Sequence, residues 1–526
     1  MLPLENITVG ALLRRTAETY AGRDAVWYKG EYWNYAQLDA QVQAAAGRFL
    51  AAGIRKGDHV ALWGEIEPAA LAIFYGLQRI GAIAVMLNTS LGQRELQDRL
   101  AASDTRYLCV GQSYKNAGDM GQIGAALGRT MPLAGVWGFG EASPACLPAF
   151  AALPAADSAA VEAAAAQVDP QDTAVILFTS GSTSVPKAVL SSHYSRVNSG
   201  IQQAADMECS CEDRFCVSNP MFHCFCISVN LMAAVAVGGC LCIPRDRHVA
   251  SITECIETCG CTMLSTVPTL FHAIISKPDF DPKRYATLRT GVIGGAAYAP
   301  EEFLRIEREL DMLLMSSLGQ TETTAGLTIC WPDDSEEVRS TTIGHFMNHT
   351  EGKIIDIKTG ETLPAGKTGE ICVRGYLTMQ GYYKQPELTA KTLDAEGWVH
   401  TGDLGCMDEA GNITLQGRLK ELIIRGGENI SPVEIEAALG RLDAVDVCKV
   451  VGVPDAHYGE QICACIRRRP GMSLTEGEVK QHLRSLLAEF KVPAYVLFFE
   501  EFPVTATGKI LSKATAQLAA EKLGLK

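Results

Sequence analysis

Leu38, Val42, Ala45 and Phe49 recur at helical spacing, which predicts an amphipathic helix ending at Gly53. His59–Trp63 is then a short apolar strand, Pro68 to Ile80 a second amphipathic helix and Ala82–Leu87 a second strand. Strand, helix, strand in this order predicts a βαβ unit and a parallel sheet. Ala174–Phe178 is a continuous apolar run, the pattern of a parallel strand buried on both faces. Residues 141–170 are rich in Ala, Pro and Ser with little periodicity and read as a surface connection. From Phe225 to Pro244 there is no charged residue, but Asn230 lies within the stretch and Gly238-Gly239 breaks it. A buried helix, a turn and a short strand Cys240–Ile243 are therefore expected there, not a membrane span. Near the C-terminus the texture changes to strands at Asp446–Val453, Cys463–Arg467 and Val496–Phe499, with a helix at Ser473–Phe490. This reads as a small α+β domain, with a boundary near Arg418–Lys420, hence domains 1–418 and 419–526. No repeat of fixed period is visible.

Composition narrows the picture. A chain of 526 residues is too long for one ordinary core. Hydrophobic residues make up 47% and charged residues 20%, a globular balance. Asp plus Glu outnumber Lys plus Arg by 60 to 46, giving a formal charge of -14. Such a surface repels nucleic acid and anionic membranes, so a bound nucleotide must be held by a local site. Met1–Asn6 lacks the basic and apolar regions of a signal peptide, so the expected location is cytoplasmic. Several of the 18 cysteines fall as Cys-x-Cys, at 209/211, 224/226, 240/242, 259/261 and 463/465. The Cys-x-x-Cys pairs of common zinc sites are absent, so most of these thiols are read as small buried groups in a reducing cytosol.

The first chemical signal follows the Ala174–Phe178 strand: Thr179-Ser180-Gly181-Ser182-Thr183-Ser184-Val185-Pro186-Lys187. Small hydroxyl residues and a glycine let backbone N–H groups approach phosphate oxygens, and Lys187 adds positive charge. The spacing is not that of the Walker loop, and taken alone the segment is equally a solvated Ser/Thr turn. Further along stand Gly294-Gly295-Ala296, Leu318-Gly319-Gln320-Thr321-Glu322-Thr323, Thr401-Gly402-Asp403, Gly417-Arg418, Arg425-Gly426-Gly427-Glu428-Asn429-Ile430 and Pro503 to Lys509-Ile510. Together with the hydroxyl loop, and in this order, they resemble the motifs of the adenylate-forming superfamily of acyl-CoA synthetases, luciferases and peptide-synthetase adenylation domains. The resemblance spans nearly the whole chain.

The resemblance implies a large N-terminal α/β domain of mainly parallel sheets flanked by helices, and a small mobile α+β lid. It implies attack of a carboxylate on the α-phosphorus of ATP, release of pyrophosphate, and transfer of the acyl group from acyl-AMP to coenzyme A. Both first reactants are anions, so positive charge and positioning supply most of the catalysis. Lys509 is the implied lysine bridging carboxylate and phosphate. Thr321 would hydrogen-bond the α-phosphate, and Glu322 would bind Mg²⁺, a hard cation that prefers oxygen ligands. Thr179, Ser180, Gly181, Ser182, Thr183 and Lys187 would hold the phosphates. Gly295, Ala296, Leu318 and Gly319 would line the adenine side, and Asp403 with Arg418 the ribose. Lys420 falls at the family's hinge, and Gly426 and Gly427 would let a pantetheine arm pass close to backbone. Gly294, His223 and Phe225 would border the acyl pocket.

Three positions depart from the family pattern. Ser184 and Ala188 each stand where glycine is usual, and Leu318 replaces a tyrosine that stacks on adenine. The segment Asn219-Pro-Met-Phe-His223-Cys-Phe-Cys226 resembles the carnitine/crotonobetaine–CoA ligase branch. No charged residue lies between His223 and Val229, so nothing in that segment selects a charged acyl tail. The implied partners are a small carboxylate, ATP and CoA, with no nucleic acid and no membrane span; no oligomeric state is implied. Two other readings remain open: an adenylating enzyme that loads a carrier protein or another acceptor, and a nucleotide binder without turnover.

Overall fold

A computed structural model describes residues 2–113, 119–141, 143–179, 186–296, 298–425, 428–455, 457–504 and 510–525, with the side chains of 428 and 429 outside the description. Its centre is a seven-stranded sheet in the order Gly381–Tyr382, Lys187–Ser192, Thr173–Thr179, Ile83–Met86, His59–Trp63, Tyr107–Val110, Gly135–Gly138. The five strands from Thr173–Thr179 to Gly135–Gly138 are parallel, and the two at the other edge are antiparallel. The predicted first helix is Tyr35–Ala51, and its inner face buries Leu38, Val42, Ala45 and Phe49. Gly53 follows with φ +88°, a left-handed conformation in which glycine carries no Cβ penalty. The second helix is Pro68–Arg79 and the strands on either side are His59–Trp63 and Ile83–Met86, as the hydrophobic pattern predicts.

A second sheet joins Glu31–Asn34, Asp24–Tyr28, Cys240–Ile243 and Arg214–Cys216. Met263 bridges it, through Phe215 on one side and Thr290 on the other, to Thr290–Gly294, Leu313–Leu318, Thr328–Ile329 and His345–Phe346. A third, wholly antiparallel sheet holds Thr350–Ile355, Thr368–Gly375, Val399–Met407 and Ile413–Arg418. One large apolar cluster runs from Val9 to Ile413 and ties these layers together.

The uncharged stretch forms a π-helical turn Cys226–Met232, a short helix Ala233–Val237, a left-handed Gly238 and the strand Cys240–Ile243. Among the described residues no helix is long and apolar enough to cross a membrane. Two predictions need correction. The 141–170 connection contains a helix, Ser158–Ala165, capped by the Asp157 side chain accepting from the Ala160 N–H and buried at Val161. Alanine forms helix without a polar–apolar rhythm, so periodicity could not reveal it. The predicted Ser473–Phe490 helix is Glu476–Leu486, opened by a Thr475–Glu478 capping box and ended by extended backbone at Leu487.

Beyond Arg418 the chain builds its own sheet from Ile423–Arg425, Glu428–Ile430, Val445–Asp455, Gly459–Arg468 and Tyr495–Phe498. Two apolar clusters, one around Ile435, Val450 and Ile466 and one around Val453, Cys463 and Phe502, contain only residues of this part. It meets the rest through polar contacts. His272 Nδ1 lies 2.8 Å from Glu302, and its Nε2 lies 3.3 Å from Asp446, which Arg467 also holds at 2.6 Å. Asp446 and Glu302 together push the His272 pKa up from 6.5 to about 9, against the opposing effect of burial. Only the Asp446 part of this rise comes from docking, since Glu302 stays beside His272 in either state; the docked form is favoured while His272 is protonated, and this contribution is lost as pH rises through about 9. Limited proteolysis around residues 419–425 is therefore expected to accelerate between pH 7 and pH 10. His272→Gln is expected to flatten that pH dependence; an unchanged profile in the variant would remove His272 from the contact's energetics.

Candidate active site

Three chain segments deliver charge to one edge of the central sheet. Thr179 and Lys187 are Cα partners at the open end of an antiparallel pair. Ser180, Gly181, Ser182 and Thr183, which connect them, lie outside the described residues, as does Ser184. The Lys187 ammonium stands 5.0 Å from the centre of the Tyr382 ring. The Tyr382 hydroxyl donates to Glu322 Oε1 at 2.8 Å, and the Met379 N–H donates to the Glu322 carbonyl, also at 2.8 Å. Glu322 itself sits in the single turn Thr321–Thr323 that follows the strand Leu313–Leu318. Burial lowers the Lys187 pKa; the Glu322 carboxylate pulls it up, and the Lys420 ammonium pushes it down. Lys187, Glu322 and Lys420 thus share one electrostatic neighbourhood. Burial and the Glu322 charge push the Tyr382 hydroxyl pKa up, so it stays a proton donor.

The turn carrying Glu322 has strict backbone demands. A Cβ on Gly319 would stand 2.0 Å from the Ala325 carbonyl oxygen, so no other residue fits there. Leu318 is half-buried on the same strand end. Gly294 ends the neighbouring parallel strand in register with Ser317, and Gly295 follows at φ +85° before Ala296. The adenine-side glycines and the Leu318–Glu322 segment are therefore neighbours.

The third contribution is from the antiparallel sheet. Asp403 and Arg418 are cross-strand partners, and Arg418 Nε donates to Asp403 Oδ1 at 2.7 Å. Asp403 is 1% exposed. Gln320 donates from its amide to the Thr401 carbonyl at 2.9 Å and to the second Asp403 oxygen. This links the Glu322 turn directly to the Asp403 strand. The Gly402 N–H donates to Glu370 at 2.9 Å, and His400 Nδ1 lies 3.1 Å from the other Glu370 oxygen.

Behind Thr321 lies the His223–Phe225 segment. Thr321 Oγ1 is 3.8 Å from Cys224 Sγ, and the Phe225 N–H donates to His223 Nδ1 at 3.3 Å. Phe225 is buried at the start of the π-helical turn. The His223–Val229 segment is uncharged, yet a charge reaches its neighbourhood from the helix His193–Asp206. Arg196 is fully buried there, donating to Ser191 Oγ at 2.8 Å and to Ser228 Oγ at 3.3 Å. Burial lowers its pKa to about 10, so it is still a cation at neutral pH. The sequence signal for Arg196 is absent, because a lone arginine on a helix says nothing of its burial. Tyr382 was equally silent, lying 60 residues from Glu322. Gln320 stands inside a motif that pointed to its neighbours instead.

The structure thus brings together Thr179, Lys187, Gly294, Gly295, Ala296, Leu318, Gly319, Thr321, Glu322, Asp403, Arg418, Lys420, His223 and Phe225 along one set of strand ends and turns. Gly426, Gly427 and Lys509 lie outside the described residues.

Residues 13–383 match the AMP-binding enzyme family, and residues 434–509 match the AMP-binding enzyme C-terminal domain. The chain is 34% identical to the putative acyl-CoA synthetase YngI of Bacillus subtilis, over 97% of this chain and 96% of that protein. It is 32% identical to the mitochondrial medium-chain acyl-CoA ligase ACSF2 of Rattus norvegicus, over 96% of this chain and 86% of that one. Among solved structures, the amide bond synthetase McbA of Marinactinospora thermotolerans superposes with a TM-score of 0.86 at 27% identity, covering 97% of this chain and 99% of that one. The chain belongs to the AMP-binding enzyme family, the adenylate-forming superfamily, as a member of the acyl-CoA ligase type.

Proposed function

We propose that the cluster of Lys187, Glu322, Tyr382, Asp403 and Arg418 is the nucleotide site of an AMP-forming acid–thiol ligase, and that the lid brings Lys509 to it. The protein uses ATP, Mg²⁺ and CoA to activate a small carboxylate. In the first step a carboxylate oxygen bonds to the α-phosphorus and the bond to pyrophosphate breaks. In the second the CoA thiol loses its proton, sulfur bonds to the acyl carbon, and AMP leaves. The observation that carries the assignment is the Gln320 link, which fixes the Glu322 turn and the Asp403–Arg418 pair in one frame. Lys187 supplies charge to the phosphates, and the partly desolvated site strengthens it. Asp403, whose two oxygens are held by Arg418 and Gln320, would accept from ribose hydroxyls with its remaining lone pairs. Glu322, a hard oxygen donor held by Tyr382, suits a Mg²⁺ ion carried by the phosphates, which would neutralise their charge.

Residues 1–418 and 419–526 are the two moving parts, with Lys420 at the hinge. Supporting this reading, Leu419–Glu421 is a single turn between two sheets with separate apolar clusters. Proline at this position would fix φ near −65° and block one of the two orientations. Lys420→Pro is expected to cut thioester formation from acyl-AMP and CoA at least tenfold more than it cuts adenylation. Equal rates for both steps in the variant and the parent would rule out Lys420 as the hinge.

The acyl group lies against His223 and Phe225. The name of the rat relative makes medium-chain monocarboxylates the first acids to test, and that of McbA calls for an amine arm. A cytoplasmic location accords with 18 cysteines that are all free thiols, and fractionation of cells tests it. The deciding experiment incubates the purified protein with Mg-ATP, CoA and a panel of short, medium, aromatic and trimethylammonium carboxylates. AMP and acyl-CoA are scored together by mass spectrometry. Matching amounts of both establish the ligase and its substrate class. AMP or acyl-AMP without acyl-CoA would replace CoA by another acceptor, and no product with any acid would sink the catalytic reading.

A further inference from the structure

Five cysteines from three separate elements meet in the second apolar cluster. Cys216 ends the strand Arg214–Cys216, and Cys242, its cross-strand partner, lies on the parallel strand Cys240–Ile243. Cys255 and Cys259 stand one turn apart on the helix Val249–Cys259, and Cys261 follows the left-handed Gly260. Four of the five are at most 1% exposed, and Cys259 is 6% exposed, which leaves it nearest to solvent. Their sulfur atoms form two triads, Cys216–Cys255–Cys261 and Cys242–Cys259–Cys261, each with all three atoms within 4.8 Å of one another. The triads share Cys261. They share one apolar cluster with Trp27, Ile252, Ile256 and Phe271.

We propose that this cluster is a binding site for one soft, thiophilic d¹⁰ cation of the Cu(I) class, held by three thiolates with Cys261 common to either arrangement. Metal–sulfur bonds of about 2.3 Å place the sulfurs of a trigonal site about 4 Å apart, so the triads close on an ion with small side-chain shifts. Among the described residues the groups that satisfy mutual distance are threes, which suits a trigonal ion better than tetrahedral zinc. Charge also has a counterweight. The Arg214 Nε, two residues before Cys216, is buried without a hydrogen-bond partner, while Nη1 of the same guanidinium meets Asp24 at 3.3 Å. Thiolate binding of the ion replaces three S–H bonds by three metal–sulfur bonds and releases three protons. The Cys-x-Cys spacing hid this, because the ligands come from residues 216 to 261 and are gathered by sheet pairing and one helix face.

The test uses the full chain, reduced and free of metal, kept without oxygen. Cu(I) is titrated in competition with a chromophoric Cu(I) chelator, with proton release and the unfolding midpoint followed in parallel. One Cu(I) per chain, about three protons released and a raised unfolding midpoint are expected. Zn(II) is expected to bind at least tenfold more weakly than Cu(I). Cys261→Ser, which removes the shared ligand, is expected to weaken Cu(I) binding at least 100-fold, and the exposed Cys146→Ser to leave it unchanged. Should Cys261→Ser not fold, the midpoint shift of the parent protein decides alone. Loss of all Cu(I) to the chelator, no midpoint shift, tighter binding of Zn(II), or equal binding by Cys261→Ser and the parent would each overturn the proposal.

Discussion

Lys509→Ala is expected to lower acyl-AMP formation by about 10²–10³-fold, the loss seen when one preorganised charge-stabilising group is removed. The attacking carboxylate and the triphosphate repel each other, and charge grows on the phosphate oxygens as the new bond forms. Lys187 and a metal ion carried by the phosphates would answer part of that charge. A lysine bridging the two anions answers it where it develops. Thioester formation from added acyl-AMP and CoA meets no such repulsion, so it is expected to stay largely intact in the same variant. Position 509 belongs to the C-terminal part, whose last helix, Ser512–Leu523, is tied to the turn Leu419–Glu421 by a hydrogen bond of 3.1 Å from Ser512 to Glu421. The measurement is pyrophosphate release from ATP and acid, against CoA consumption from synthetic acyl-AMP. If both rates fell equally, Lys509 would be a residue of lid docking rather than of adenylation.

Asp403→Ala is expected to raise KM for ATP by about 10²-fold with a smaller change in kcat. A hydrogen bond to a charged group contributes about 1.5–3 kcal/mol, and each 1.4 kcal/mol is tenfold in affinity. Arg418 and Gln320 hold the carboxylate in place before nucleotide arrives, so little ordering is left to be done on binding. Removal of the carboxylate also leaves Arg418 without its 2.7 Å partner, which would add positive charge beside a bound sugar but no acceptor for its hydroxyls. Asp403→Asn keeps the shape and one acceptor oxygen and is expected to lose about tenfold. A KM unchanged in both variants would separate Asp403 from the nucleotide and leave it a strand-pairing residue.

What the sequence disclosed follows from how local each signal is. Gly53, the His59–Trp63 strand and the Leu38–Phe49 helix face are set by rhythm and turn chemistry within a few residues. The ordered motifs pointed to Glu322, Asp403 and Arg418 because each sits in a short segment whose composition is constrained by a turn or a close approach, as at Gly319. The Ser158–Ala165 helix escaped because alanine has no polar alternation to read. Arg196, Tyr382 and the His272–Asp446 contact escaped for another reason. Each acquires its character from a neighbour distant in sequence, and only burial or pairing turns an ordinary side chain into a buried cation, a held donor or a charged histidine. The five clustered cysteines are the extreme case, since the local spacing argued against what the sheet assembles.

The second sheet has a temporal consequence. The strand Asp24–Tyr28 pairs with Cys240–Ile243, so Trp27 lies beside Cys242 in the finished sheet. On a ribosome adding about 5–20 residues per second, the earlier strand waits about 10–40 s for its neighbour to be made. During that interval Ala25, Val26 and Trp27, all buried in the finished protein, have only the antiparallel strand Glu31–Asn34 to cover one edge. The nascent chain therefore carries an unfinished, adhesive edge through much of its synthesis, and that is where a holding chaperone has the longest window to act.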